Sequence, residues 1–181
     1  MISREDESIP PSSATSADSP VVLTIGHSNR PFSEILALLK TYGVQILLDI
    51  RSRDYSNLVP DFSRQRMKMR LIADGIVYIF MGDLLGEEPK GGHFRTRLET
   101  LDLIKVETSE PFDKGLSWIL EESRHSRICL FCGEADPFVC HRHHLVGQCL
   151  VSRGLRVRHI LHTGQLEDLQ PDLFHRPREA I

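Results

Sequence analysis

The segment Cys132-Gly133-Glu134-Ala135-Asp136-Pro137-Phe138-Val139-Cys140-His141-Arg142 holds the densest set of reactive side chains in this sequence. A thiol, an imidazole and a guanidinium stand side by side at 140–142, where a loop enters a predicted helix. Free N–H groups and the helix dipole favour an anion at such a point. With His141 and Arg142 beside it, the same field lowers a thiol's pKa, so Cys140 is a candidate nucleophile or stabilised thiolate. The competing reading makes Cys140 a small core residue and puts Arg142 in a salt bridge. Glu134 follows a predicted strand end. There it is a candidate general base, a ligand for a hydroxyl group, or an ion-pair partner of Arg142 or Arg51.

Four cysteines, Cys129, Cys132, Cys140 and Cys149, fall in one half of the chain. Cys129 and Cys132 have C-x-x-C spacing but lie in an apolar strand run, so they point to opposite faces and pair poorly as a redox dithiol. Cys129 and Cys149 read as packing residues. Cys132, Cys140, His141, His143 and His144 are metal-ligand types, yet the paired close spacings of a structural zinc site are missing. His141, His143 and His144 do not share a helical face. No metal site and no cofactor is assigned from the sequence.

Further polar groups follow other predicted strands. Gly26-His27-Ser28 forms a Gly-led turn that offers backbone N–H groups to a phosphate or carboxylate. Neither standard glycine-rich nucleotide-binding pattern occurs. Asp49 and Arg51 share one strand face, either as a structural pair or with Arg51 set to grip an anion. Arg64, Arg66, Lys68 and Arg70 form a basic run at helical spacing, read chiefly as a solvated helix face, with phosphate contact as the alternative.

These groups need a scaffold that brings separate segments to one place. The chain alternates strand-like and helix-like segments from Val21 onward. Strands are expected at 21–25, 45–50, 76–80, 127–131 and 155–161. Helices are expected from a Ser33 cap to about Tyr42, over 64–74, from Pro111 to about Arg124, and from His141 to Arg153. Residues 82–108 read as long and irregular, with helical turns around 95–102. Alternation with apolar strands predicts an α/β, three-layer Rossmann-like domain with a mainly parallel sheet of about five strands. In such sheets ligands bind outside the carboxyl ends of the strands, which is where these polar groups fall.

At 181 residues, 40% hydrophobic and 26% charged, the chain fits one globular domain. The expected division is a disordered tail at 1–20, an α/β domain at 21–165 and a C-terminal extension at 166–181. Glu5, Asp6, Glu7 and Asp18 against Arg4 account for the net charge of −3, so the body is neutral. A neutral body argues against broad nucleic-acid coating and leaves room for a local contact. No apolar run approaches the roughly 20 residues of a membrane span, and no signal-like stretch opens the chain. A cytoplasmic location with reduced thiols is expected, without membrane association.

Thr24-Ile25-Gly26-His27-Ser28, Asp49-Ile50-Arg51-Ser52, Pro60-Asp61-Phe62, Gly75-Ile76-Val77-Tyr78, Leu84-Leu85-Gly86, the Cys132–Pro137 stretch, Cys140-His141-Arg142, Gly154 and His159-Ile160 together closely resemble domain-of-unknown-function family 488. The resemblance runs from about Thr24 to Ile160. It implies a compact α/β domain and marks these polar positions, without implying a reaction. Glu87 departs from the family's frequent second glycine after Leu-Gly, which puts the loop at Glu87 and Glu88 in question.

The leading expectation is an enzyme acting on a phosphate-bearing nucleotide or nucleic-acid substrate. Glu134, Cys140 and Asp49 would be its catalytic groups, and Gly26, His27, Ser28, Arg51, His141 and Arg142 would bind the substrate. The alternatives are a thiol or sulfur-transfer enzyme using Cys140, and a non-catalytic domain binding an anionic small molecule or nucleic acid. Protein partners are not assigned.

Overall fold

Short β-branched and aliphatic runs form the sheet, and amphipathic segments between them cover it. The structure is a computed structural model that describes residues 20–52, 60–87 and 103–172. In chain order these form β1 (Val21–Gly26), α1 (Phe32–Thr41), β2 (Ile46–Asp49), a 3-10 turn (Pro60–Phe62), α2 (Arg64–Ala73), β3 (Val77–Phe80) and α3 (Gly82–Leu85). There follow α4 (Leu103–Glu107), α5 (Glu110–Glu122), β4 (Ile128–Cys132), a second 3-10 turn (Pro137–Val139), a π-helical segment (Arg142–Gly147), α6 (Gln148–Ser152), β5 (Arg156–Ile160) and β6 (Leu166–Asp168).

The six strands make one sheet in the order β3-β2-β4-β1-β5-β6. The first five are parallel, as expected, and β6 pairs antiparallel with β5 at the edge. Each face carries its own core. Leu23, Ile25, Leu47, Cys129 and Phe131 pack under α1 and α2. Val22, Leu48, Leu130 and Val157 pack under α5, the π segment and α6. Strands buried on both faces are why the sequence shows apolar runs rather than strict alternation.

Several details differ from the sequence expectation. Helix α1 starts at Phe32, with Pro31 in the cap position and no side-chain cap bond, so Ser33 lies inside the helix. Proline's fixed φ starts that helix without a hydroxyl cap. The helix expected from His141 to Arg153 opens as a π segment and continues as α6. π segments are rare and recur at functional sites. β6 carries the sheet past the expected boundary at 165, and Leu169 beyond it is buried in the core. The expected helical turns around 95–102, residues 1–19 of the expected tail at 1–20, and Glu88 lie outside the described residues.

The adjacent strands β1 and β4 send their following segments to opposite faces of the sheet. The chain leaves β1 for α1 on one face and leaves β4 for the π segment on the other. This divergence falls at the carboxyl ends of β1 and β4, the place where α/β sheets hold ligands.

Candidate functional site

β4 ends at Cys132, and its last residue carries the first of two thiols. The loop then turns through Glu134 and the second 3-10 turn, where Asp136 caps by accepting from the Phe138 amide at 2.8 Å. Cys140 closes that turn and is 1% exposed; Cys132 is 2% exposed. Both thiols converge on one carboxylate oxygen. Cys132 Sγ donates to Glu134 Oε2 at 3.1 Å, and Cys140 Sγ donates to the same atom at 3.0 Å. The Arg142 amide approaches Cys140 Sγ at 3.5 Å. Glu134 itself lies at the exposed side of this pair.

His141 completes the cluster. Its Nε2–H donates to the Ile50 carbonyl at 3.0 Å, which turns Nδ1 toward the sulfurs. Nδ1 lies 3.7 Å from Cys132 Sγ, 3.9 Å from Cys140 Sγ and 3.7 Å from Glu87 Oε1. Burial opposes charge on His141, but the bond to Cys140 and the Cys140 and Glu87 charges outweigh it, so its pKa is raised. The Cys140 thiol is lowered to about 6, chiefly by the hydrogen bond from Cys132 and then by His141 and Arg142 against the opposing effect of burial. The Cys132 thiol is pushed well up by its bond to Cys140 and by burial. The two thiols are therefore driven in opposite directions.

The remaining groups singled out in the sequence split between this cluster and its supports. Arg142 is fully buried and spends its guanidinium on the loop, donating from Nη1 to the Glu134 carbonyl at 2.7 Å and from Nη2 to the Ala135 carbonyl at 2.9 Å. Arg51 donates from Nε and Nη2 to the two oxygens of Asp49 at 2.8 and 2.6 Å, and from Nη2 to the Phe62 carbonyl at 2.8 Å. Asp49 is fully buried and also accepts from the Tyr78 hydroxyl at 2.7 Å. Burial and the adjacent Asp49 charge push the Tyr78 hydroxyl far up, so it stays protonated and donates. Both arginines and Asp49 are thus engaged with protein partners.

The Gly26 turn is also engaged. The His27 amide donates to the Cys132 carbonyl at 3.0 Å, and the Ser28 amide donates to the Gly133 carbonyl at 2.7 Å. Gly26 is required by proximity: a Cβ there would stand 1.7 Å from the Glu134 carbonyl oxygen. Ser28 takes a positive φ of 47° to make the turn. His27 stacks on Phe62 at 4.3 Å and Phe131 at 5.3 Å, and its Nδ1–H donates to the Ser28 carbonyl at 2.7 Å. Burial and then Arg51 lower its pKa to about 4, so it is neutral at pH 7.

Two groups escaped the sequence reading. Glu87, singled out only as a departure from the family pattern, reaches His141. His159, at the end of β5, bridges Thr24 Oγ1 at 2.7 Å and His143 Nδ1 at 3.0 Å, which links β1 to the π segment. Its place in the family pattern is the one signal that pointed to it. The basic run on α2 is largely tied down. Arg66 and Arg70 pair with Asp61 at 3.2 and 3.6 Å, while Arg64 and Arg70 lie over Phe80 and Phe32.

The family described as Domain of unknown function DUF488 matches residues 31–148, more than half of the chain. The chain belongs to the DUF488 family. The match spans Asp49, Arg51, Cys132, Glu134 and Cys140–Arg142, so the thiol cluster lies wholly within the DUF488 region. His27 and His159 lie outside it. No curated protein and no solved structure matches the chain. Among the described residues, no helix is long and apolar enough to cross a membrane.

Proposed function

We propose that this DUF488 domain is an enzyme of thiol chemistry, with Cys140 as nucleophile and Glu134 as the base that takes its proton. The observation that carries this is the 3.0 Å contact from Cys140 Sγ to Glu134 Oε2 at the carboxyl edge of the sheet. A nucleophile and a proton acceptor within hydrogen-bond reach are the minimum apparatus of covalent catalysis. The Cys140 thiol ionises first, its proton passing by way of the Glu134 carboxylate to solvent; the thiolate then attacks an electrophilic centre, and the bond from that centre to its leaving group breaks as the group departs with the electron pair. The Arg142 amide steadies the sulfur, and Arg142's two bonds to the loop carbonyls hold Glu134 over it.

The same edge supports the reading of a phosphate-bearing nucleotide or nucleic-acid substrate less directly. Arg51, Arg142 and the amides of His27 and Ser28, its natural anion-binding groups, already have partners. An anion here would have to displace them.

Competitive labelling of the reduced, chelator-treated protein with iodoacetamide, followed by peptide mapping, tests the thiol assignment. Cys140 should be modified ahead of Cys129, Cys132 and Cys149. Equal or later labelling of Cys140 would overturn it. Cys140→Ser and Glu134→Gln, screened against electrophilic and nucleotide substrates, then test turnover.

A further inference from the structure

We propose that Cys132, Cys140 and His141 bind a thiophilic divalent cation of the zinc type, with the fourth coordination position facing Glu134. The inference uses the side chains of the thiol reading but does not depend on Cys140 being a nucleophile.

The three ligand atoms, two Sγ and one Nδ1, all lie within 4.8 Å of one another. A tetrahedral zinc ion with metal–sulfur distances of about 2.3 Å and metal–nitrogen distances of about 2.0–2.1 Å sets such atoms roughly 3.5–3.8 Å apart. The two sulfur-to-nitrogen distances here are 3.7 and 3.9 Å. The cage is therefore close to the size a tetrahedral ion needs before any ion enters. Glu134 Oε2 stands closer to the sulfurs, at 3.1 and 3.0 Å, because thiol hydrogens now hold it. Exchanging those hydrogens for an ion asks the carboxylate to retreat by about half an ångström. Glu134 is exposed and at the loop, so it has room to do so.

The surroundings favour the same conclusion. A ligating histidine commonly donates its other ring N–H to a carboxylate or backbone carbonyl, which orients the ring toward the metal. His141 does this through Nε2 to the Ile50 carbonyl at 3.0 Å. The Arg142 amide beside Cys140 Sγ is placed to support a metal-bound thiolate. All three ligands are buried: Cys132 ends β4, Cys140 closes the second 3-10 turn and His141 caps the π segment, so the cage is anchored at the ends of regular elements. Two sulfurs and an imidazole select zinc-like ions over magnesium or calcium, which prefer all-oxygen sites. Paired spacing is missing from the sequence because the ligands come from a strand end and a helix start. His143 and His144 do not join them: they turn to His159 and to the Phe138 carbonyl.

Binding takes both sulfurs as thiolates, releases to solvent whatever protons the three ligands still carry and forms two metal–sulfur bonds, with no change of oxidation state. It also occupies both sulfurs. The ion-loaded protein is then closed to thiol chemistry, and removal of the ion reopens it.

The test is titration of the reduced, chelator-stripped full chain with Co²⁺ alone, followed by displacement with Zn²⁺. The expected result is one Co²⁺ per chain, thiolate-to-cobalt charge-transfer absorption, the visible bands of a four-coordinate ion, and loss of both on adding one equivalent of Zn²⁺. Cys132→Ser, Cys140→Ser and His141→Gln should each weaken binding by about tenfold or more, and Cys149→Ser should leave it unchanged. Circular dichroism confirms the fold of each variant. A native-chain measurement covers any variant that does not fold: one equivalent of Zn²⁺ should protect Cys132 and Cys140 from iodoacetamide and leave Cys149 labelling unchanged. No thiolate absorption in the native chain, full-affinity binding by both serine variants, or no protection by Zn²⁺ would overturn the site. Rapid labelling of Cys140 without any cobalt signal would overturn the metal site and leave the thiol reading standing.

Discussion

Replacing Asp49 by Asn separates a structural carboxylate from a catalytic one. Asp49 is fully buried and receives Arg51 Nε and Nη2 at 2.8 and 2.6 Å and the Tyr78 hydroxyl at 2.7 Å. Asparagine keeps the shape but removes the charge that offsets a buried guanidinium. Removing one partner of a buried pair costs about 3–5 kcal/mol, because the other charge is left uncompensated. A domain of this kind holds about 5–15 kcal/mol in all. With a urea m-value of about 2 kcal/mol/M, a loss of about 4 kcal/mol lowers the unfolding midpoint by about 2 M. Tyr78→Phe removes one hydrogen bond to a charged group and should cost about 1.5–3 kcal/mol. Urea unfolding followed by circular dichroism measures both. A loss below about 1 kcal/mol for Asp49→Asn, at unchanged m-value, would refute the buried-pair account. Asp49 would then again be a candidate base.

Gly26→Ala places a methyl group 1.7 Å from the Glu134 carbonyl oxygen, so it should cost about 3 kcal/mol or more, read by thermal or urea unfolding. Arg142→Lys cannot span the Glu134 and Ala135 carbonyls with two parallel bonds and should lose about 2 kcal/mol. Faster amide exchange across residues 134–140 checks that this loss falls on the loop. Burial, then the neighbouring His143 and Arg142, lowers the His159 pKa from 6.5 to about 3. The folded state therefore disfavours protonation: stability is complete above pH 6.5 and falls as pH drops toward 3. His159 alone should cost about 2 kcal/mol between pH 7 and pH 5. His27, lowered to about 4, adds a loss of the same sign. His159→Gln should thus roughly halve the pH dependence measured by urea unfolding.

The alternation of apolar runs with amphipathic segments made the parallel sheet legible, because strands covered on both faces leave that pattern in the sequence. β6 was not legible: its residues Leu166-Glu167-Asp168 are half-buried at an edge, held by pairing with β5 rather than by an apolar run. α3 and α4 are one turn long and depend on packing against α5, which leaves little local signal. The proximity of Cys132, Glu134, Cys140 and His141 at the carboxyl edge was legible, because all four lie within one short segment that follows a strand. The roles of the arginines were not. A guanidinium near a loop reads as an anion grip, but whether its donors meet a ligand or the chain's own carbonyls depends on the loop path. Arg142 meets Glu134 and Ala135 carbonyls, and Arg51 meets Asp49. Likewise, the meeting of His141 Nδ1 with two sulfurs depends on the Ile50 carbonyl, 91 residues away in sequence.

The order in which the four cysteines react with iodoacetamide at pH 7 bears most directly on the thiol centre. Exposure alone ranks Cys149 first at 7%, then Cys132 at 2%, Cys140 at 1% and Cys129 at 0%. Chemistry inverts that order, because burial pushes the Cys149 thiol up to about 12 while Cys132, His141 and Arg142 lower Cys140 to about 6. The thiol account predicts that Cys140 is labelled first in the reduced, metal-free protein. Labelling in the order of exposure, with Cys149 ahead of Cys140, would contradict it.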